Sequence, residues 1–191
     1  MRRIIIGISG ASGAIYGIRA LEALKAVPGV ETHLIMSPSA GQTILDETDW
    51  TVSDVKALAD VVHNQKDIGA SLSSGSFKTD GMIVAPCSIK TLSGIVNSYD
   101  DNLLTRAADV CLKEARRVVL LVRETPLHLG HLELMARAAK YGAIVLPPVP
   151  AFYHRPKTLD DVINHTIGKA LDLFDVQHRL FPRWKDTPPE A

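Results

Sequence analysis

A chain of 191 residues with 46% hydrophobic and 22% charged side chains has the balance of one globular domain with a real core, which excludes disordered and collagen-like chains. Twenty-one Lys plus Arg offset 21 Asp plus Glu, so the electrostatic footprint of a general nucleic-acid or anionic-membrane binder is missing and a small molecule is the expected partner. Cys87 and Cys111 lie outside any C-x-x-C pair, which argues against a disulfide framework or zinc ribbon and fits a reducing cytoplasm; no apolar run approaches a signal peptide or the ~20 residues of a membrane span.

The β-branched run at residues 4–8 predicts a first strand closed by a Gly/Ser turn, and Ile15, Ile18, Leu21 and Leu24 at helical spacing predict a helix over 14–27. Pro28-Gly29 ends that helix, residues 30–36 predict the second strand, and Ser37-Pro38 marks a helix start. Helical pieces at 41–47 and 53–59 lead into the Ser/Gly stretch 71–76, expected to be a mobile loop. A third strand at 82–85 is expected to stop at Pro86, and apolar runs at 118–122 and 143–146 predict two more, alternating with helices over 102–116 and 127–140. Residues 182–191, with Pro188-Pro189, are expected to form an extended arm beyond a single domain at 1–181.

Apolar strands alternating with amphipathic helices imply an α/β domain with a doubly wound parallel sheet, covered on both faces. Such sheets bind ligands beyond the carboxyl ends of their strands, which directs attention to residues 9–13, 37–39, 86–91, 123–126 and 147–155. In the first of these, Gly10-Ala11-Ser12-Gly13 offers small residues and free amides at a helix start, suited to an anion or the edge of a flat cofactor. A dinucleotide fingerprint would need glycine at Ile8 and an acid at Ser37, and a G-x-S-x-G elbow would need glycine at Ala14, so NAD and serine-hydrolase chemistry are disfavoured. Ser88, Lys90 and Thr91 set hydroxyls and a cation on the first turn of a helix, where they either cap it or hold a phosphate. Arg123 and Glu124 emerge past the most apolar strand, the strongest local hint of chemistry, against the alternative of a mutual ion pair. His128, His131 and Glu133 lack a clear further ligand, and Asp100-Asp101 and Asp160-Asp161 lack a third acid at the spacing of a diphosphate clamp, so no metal is expected.

Taken together, Gly10-Ala11-Ser12-Gly13, Gly75-Ser76-Phe77, Thr79-Asp80-Gly81-Met82, Pro86-Cys87-Ser88 with Lys90-Thr91-Leu92, Arg106-Ala107-Ala108-Asp109, Arg123-Glu124-Thr125-Pro126 and Pro147-Pro148 with Phe152-Tyr153 resemble the flavin prenyltransferase family, the UbiX-like proteins, across nearly the whole chain. The resemblance implies a flavodoxin-like Rossmann three-layer sandwich, assembly into a homododecamer, and transfer of a dimethylallyl group from dimethylallyl monophosphate to reduced FMN. The prenylated FMN would serve a partner UbiD-like aromatic acid decarboxylase. Carried over by position, Gly10, Ala11, Ser12, Ser37, Ser88, Ile89, Lys90, Thr91 and Arg123 fall at FMN. Tyr153 and Lys169 fall at the substrate phosphate, with Lys113 and Arg123 completing an electrostatic clamp. Lys113, Glu47, Glu124 and Arg106 match positions that line the reaction site, often across a subunit boundary, and Trp184 matches an aromatic near it. Glu47, Glu124 or the departing phosphate would take the final proton, with Ser12 orienting or relaying it. The family usually carries Arg where Lys169 stands, so the charge is kept and the bidentate fork lost. Two alternatives are a non-catalytic FMN carrier or electron-transfer flavoprotein, and an FMN-dependent decarboxylase of the cysteine-decarboxylating relatives, whose Pro-x-Met-Asn motif is not visible.

Overall fold

Strand β1 (Arg2–Ile8) carries the alternation on which the fold is built. Ile4, Ile6 and Ile8 face one buried layer and Ile5 the other, because successive side chains of a strand point to opposite faces. The structure, a computed structural model, describes residues 1–184. From residue 185 on, the expected C-terminal arm lies outside the described residues.

Helix α1 (Ala14–Lys25) follows β1; β2 (Val30–Met36), α2 (Pro38–Glu47), α3 (Val52–Leu58) and β3 (Val61–His63) come next. The second half holds β4 (Gly81–Cys87), α4 (Ile89–Val96), α5 (Leu103–Lys113), β5 (Arg117–Val122), α6 (Leu129–Lys140), β6 (Ile144–Val145) and α7 (Leu159–Asp172). All strand pairs are parallel, in the order β3-β2-β1-β4-β5-β6. Leaving out the three-residue edge strand β3 gives the flavodoxin-like order. One face of the sheet packs Ile83, Ala85, Val119 and Leu121 with α1 and α7; the other packs Met82, Val84, Val118 and Leu120 with α4 and α5.

Three local expectations are corrected. Strand β4 runs through Pro86 to Cys87: the register shifts between Val84 and Cys87, so the missing proline N–H falls at an irregularity rather than in the regular ladder. The 71–76 stretch is tied down, with a 3-10 turn at Ser71–Ser73. The Arg106 guanidinium donates to the Ser73 carbonyl and Arg116 to the carbonyls of Gly75 and Phe77. Two elements lie outside the expected set: β3, too short to show a period, and α7, whose buried face includes His165, Thr166 and Gly168 and so lacks a continuous apolar stripe.

Candidate functional site

The chain turns to opposite sides after β1 and β4, and a crevice opens between their carboxyl ends. Buried Ser9 fixes its floor. The Ser9 amide and hydroxyl both donate to the Pro86 carbonyl, at 3.2 and 2.8 Å, and its oxygen accepts the Ser88 N–H at 2.8 Å. Ser9 falls in the 9–13 segment but has no role in the motifs read there; its one sequence signal is a hydroxyl at the first position past a buried strand.

The turn at 10–13 then lies against the start of α2. A Cβ on Gly10 would come to 2.4 Å from Ser39 Cβ, so the close approach requires glycine. Ser37 caps α2 by accepting the Ala40 N–H at 3.1 Å, and its own N–H donates to the Ile8 carbonyl at 3.0 Å. Ser88 caps α4 in the same way, accepting the Thr91 N–H at 3.3 Å while its hydroxyl donates to Thr91 Oγ1 at 3.1 Å. The capping reading therefore holds for both serines, and it orients their hydroxyls at two helix starts that face the same space. That space is a cavity of about 970 Å³ lined by Gly10, Ser37, Ser88, Lys90 and Thr91, with Gln65 and Asn102 opposite. Helix-terminal amides, hydroxyls and a lysine fit a phosphate, and the volume fits a cofactor-sized ligand. Ile89 packs into the core below, and Ala11 lies in the turn itself.

A second cavity of about 660 Å³ takes in the other end of the turn, lined by Ser12, Gly13, Tyr16, Glu47, Arg123, Glu124 and Pro147-Pro148. Glu47, the last residue of α2, accepts the Gly13 N–H at 2.7 Å, which brings a carboxylate to the N-terminus of α1. Gly13 holds the left-handed conformation (φ 97°) that starts the helix. The Arg123 N–H donates to the Cys87 carbonyl at 3.1 Å, and the Glu124 carboxylate accepts the Thr125 N–H at 3.0 Å rather than pairing with Arg123. Burial pushes the Tyr16 phenol pKa up, with the Arg123 charge opposing. Tyr16, a further lining residue not foreseen, stands one helical turn after Ser12. Cys87 is fully buried, and desolvation pushes its thiol up to about 12, which suits a core filler rather than a nucleophile.

The remaining site residues lie elsewhere in the chain. Lys113 ends α5 at the amino-terminal edge of the sheet and pairs with Glu114. Arg106 is engaged by Ser73, Asp100 and Asp109. Tyr153 leans on the flank of α7, its hydroxyl 2.7 Å from His165 Nε2, with Trp184 edge-on at 5.3 Å; the charge of Lys169 acts on the same His165. Within one chain, none of these lines either cavity. His128 caps α6 by accepting the Gly130 N–H on Nδ1.

The Flavoprotein family model matches residues 1–176. The flavin prenyltransferase UbiX of Escherichia coli K12 is 63% identical over 97% of this chain and 99% of its own. A crystal structure described as a dodecameric FMN-dependent UbiX-like decarboxylase from Escherichia coli O157:H7 superposes with a TM-score of 0.94 at 50% identity, covering 96% of this chain and 99% of that one. AnUbiX, solved in complex with FMN and dimethylallyl pyrophosphate, also gives 0.94 at 50% identity, over 97% of this chain and 98% of its own.

Proposed function

This chain belongs to the flavin prenyltransferase family of flavoproteins, and from that premise we propose that it transfers a dimethylallyl group from dimethylallyl monophosphate to N5 and then C6 of reduced FMN. The observation that carries the reading is the adjacency of two cavities around one turn, the first built for a phosphate and a cofactor-sized ligand, the second bearing Arg123, Glu47 and Glu124. When bound, reduced flavin supplies the nucleophile. Ser88, Thr91 and the first amides of α4 hold the flavin phosphate, with Lys90 adding charge. Gly10 would let the backbone approach a flat ring system, and Ser12, at the second cavity, would orient or relay a proton. Arg123, whose backbone N–H is tied to the Cys87 carbonyl, neutralises charge on the leaving phosphate together with Tyr153, Lys169 and Lys113. Glu47 and Glu124 stand as acceptors for the proton released at ring closure.

Assembly completes this site. Tyr153, Lys169, Lys113 and Arg106 reach the cavities from other copies of the chain, in an oligomer of the dodecameric kind found for the UbiX-like relative. Exposed Leu127, Leu129, Leu132, Val149, Phe152 and Leu159 supply apolar surface for such contacts. The product would pass to a UbiD-like aromatic acid decarboxylase in the cytoplasm. No helix among the described residues is long and apolar enough to cross a membrane. The test is anaerobic incubation of purified protein with reduced FMN and dimethylallyl monophosphate, then mass spectrometry of the extracted flavin. A gain of one five-carbon unit is expected; unchanged flavin with FMN bound would return the site to a carrier or an FMN-dependent decarboxylase.

A further inference from the structure

We propose that His165 is a positioning residue for the substrate phosphate, holding Tyr153 so that its phenol donates outward. This inference rests on the proposed prenyl transfer and on Tyr153 meeting the phosphate. His165 Nε2 lies 2.7 Å from the Tyr153 hydroxyl oxygen, the shortest tie between the 147–158 loop and α7. The imidazole is held on several sides. His154 stacks parallel to it at 4.9 Å and 10°, Phe181 closes on it at 4.7 Å, and Tyr153 meets it edge-on at 5.5 Å. The Phe181 ring reaches that position because residue 168 is glycine: a Cβ there would come to 2.4 Å from it. The ring plane, and with it the direction of Nε2, is therefore fixed by packing rather than by the phenol.

The proton arrangement follows from what a phosphate accepts. A fully ionised phosphate, the main form above its second pKa of about 6, offers acceptors alone, so Tyr153 serves it only by pointing its O–H outward. Its oxygen must then accept from behind, and His165 Nε2–H is the donor in place. Burial, then the charges of His154 and Lys169, lower the His165 pKa, so near neutral pH the ring carries one proton; Asp172 acts in the opposite direction. A relay of His165 to Tyr153 to phosphate aligns two donors beside the Lys169 charge. The reverse tautomer would turn the phenol inward and leave an oxygen lone pair facing the anion.

Steady-state prenyl transfer by the assembled protein tests this, with dimethylallyl monophosphate varied at saturating reduced FMN. His165→Leu is expected to raise KM roughly tenfold, as loss of one hydrogen bond to a charged group does, with kcat little changed. Tyr153→Phe, which also takes the phenol from the leaving phosphate, should raise KM at least as much and lower kcat as well, and the double variant should be no worse than Tyr153→Phe alone, since His165 acts through Tyr153. His165→Gln, whose amide N–H reaches a similar point, should restore the wild-type KM. Wild-type KM in His165→Leu, or additive losses in the double variant, would overturn the proposal. If His165→Leu fails to assemble, His165→Gln and His165→Asn decide: the amide is the same but one methylene shorter in Asn, so equal KM values overturn the proposal and a raised KM in Asn alone supports it. A wild-type protein that leaves the flavin unmodified would instead bring down the transferase reading, and this inference with it.

Discussion

Glu47 closes α2 by placing its carboxylate 2.7 Å from the amide of Gly13, the residue that starts α1. A negative charge there is stabilised by the free N–H groups and dipole of α1, and it is held against the turn that separates the two cavities. Glu47→Gln keeps an acceptor for the Gly13 N–H and removes only the charge and basicity. The fold and FMN binding should survive, while the rate of prenyl transfer falls by about 10²-fold or more, the usual contribution of a general base. Single-turnover kinetics with FMN occupancy checked by absorbance measures this; an unchanged rate would move the proton acceptor to Glu124 or to the departing phosphate.

Ser9 ties the end of β1 to the end of β4 and the start of α4 with three hydrogen bonds, all at the floor of the crevice. Ser9→Ala leaves the Ser88 N–H without that partner and removes one donor from the Pro86 carbonyl, which should cost about 2–4 kcal/mol of stability. Urea unfolding reads the loss directly. FMN affinity should fall as well, since Ser88 then loses the contact that orients the start of α4.

The main strands were legible because continuous apolar runs leave few alternatives to a doubly covered parallel sheet, and segments that line the two cavities were legible because such sheets bind at their strand ends. Ser37 and Ser88 were legible as helix starts for the same reason they suit an anion. The Tyr153–His165 contact was not, since it joins a loop to a helix whose buried histidine, threonine and glycine hide its period. The positions of Lys113 and Arg106 relative to the cavities could not be read either. Matching a motif assigns a residue to a site without saying which copy of the chain delivers it, and topology alone puts Lys113 at the opposite edge of the sheet from Arg123.

Gly10 faces the second residue of α2, and the Cβ atoms of an alanine at 10 and of Ser39 would be separated by 2.4 Å. Neither atom can rotate away, because both are fixed by backbone. Gly10→Ala should therefore displace the turn or α2, at a cost of about 1–3 kcal/mol, and weaken FMN binding by roughly tenfold. Adding Ser39→Gly removes the opposing Cβ and should restore most of the affinity. Fluorescence titration of FMN into both variants decides whether the defect is this contact.

Stability should depend on pH through two histidines whose proton affinity is lower in the folded chain. His63 is lowered first by burial and then by the charge of His33, whose Nδ1 lies 2.9 Å from His63 Nε2; Asp67 opposes the shift. His165 is lowered by burial, then by His154 and Lys169. In the unfolded chain both titrate near about 6.5, so the unfolded state takes up more protons as pH falls below that value. Stability is thus full above the unfolded pKa and declines as pH falls toward the folded values. The lowered carboxylates act later: Asp60, held by the Thr32 N–H, and Asp172, held by Arg183, keep their contribution until pH approaches the ordinary Asp range. The urea midpoint should be level above about pH 7, begin to fall below about pH 6.5, and fall again below about pH 4. His63→Gln removes one of the two groups, so its midpoint should fall less across the first window than that of the wild type. An equal fall in both proteins would assign that step to His165 or to the remaining histidines.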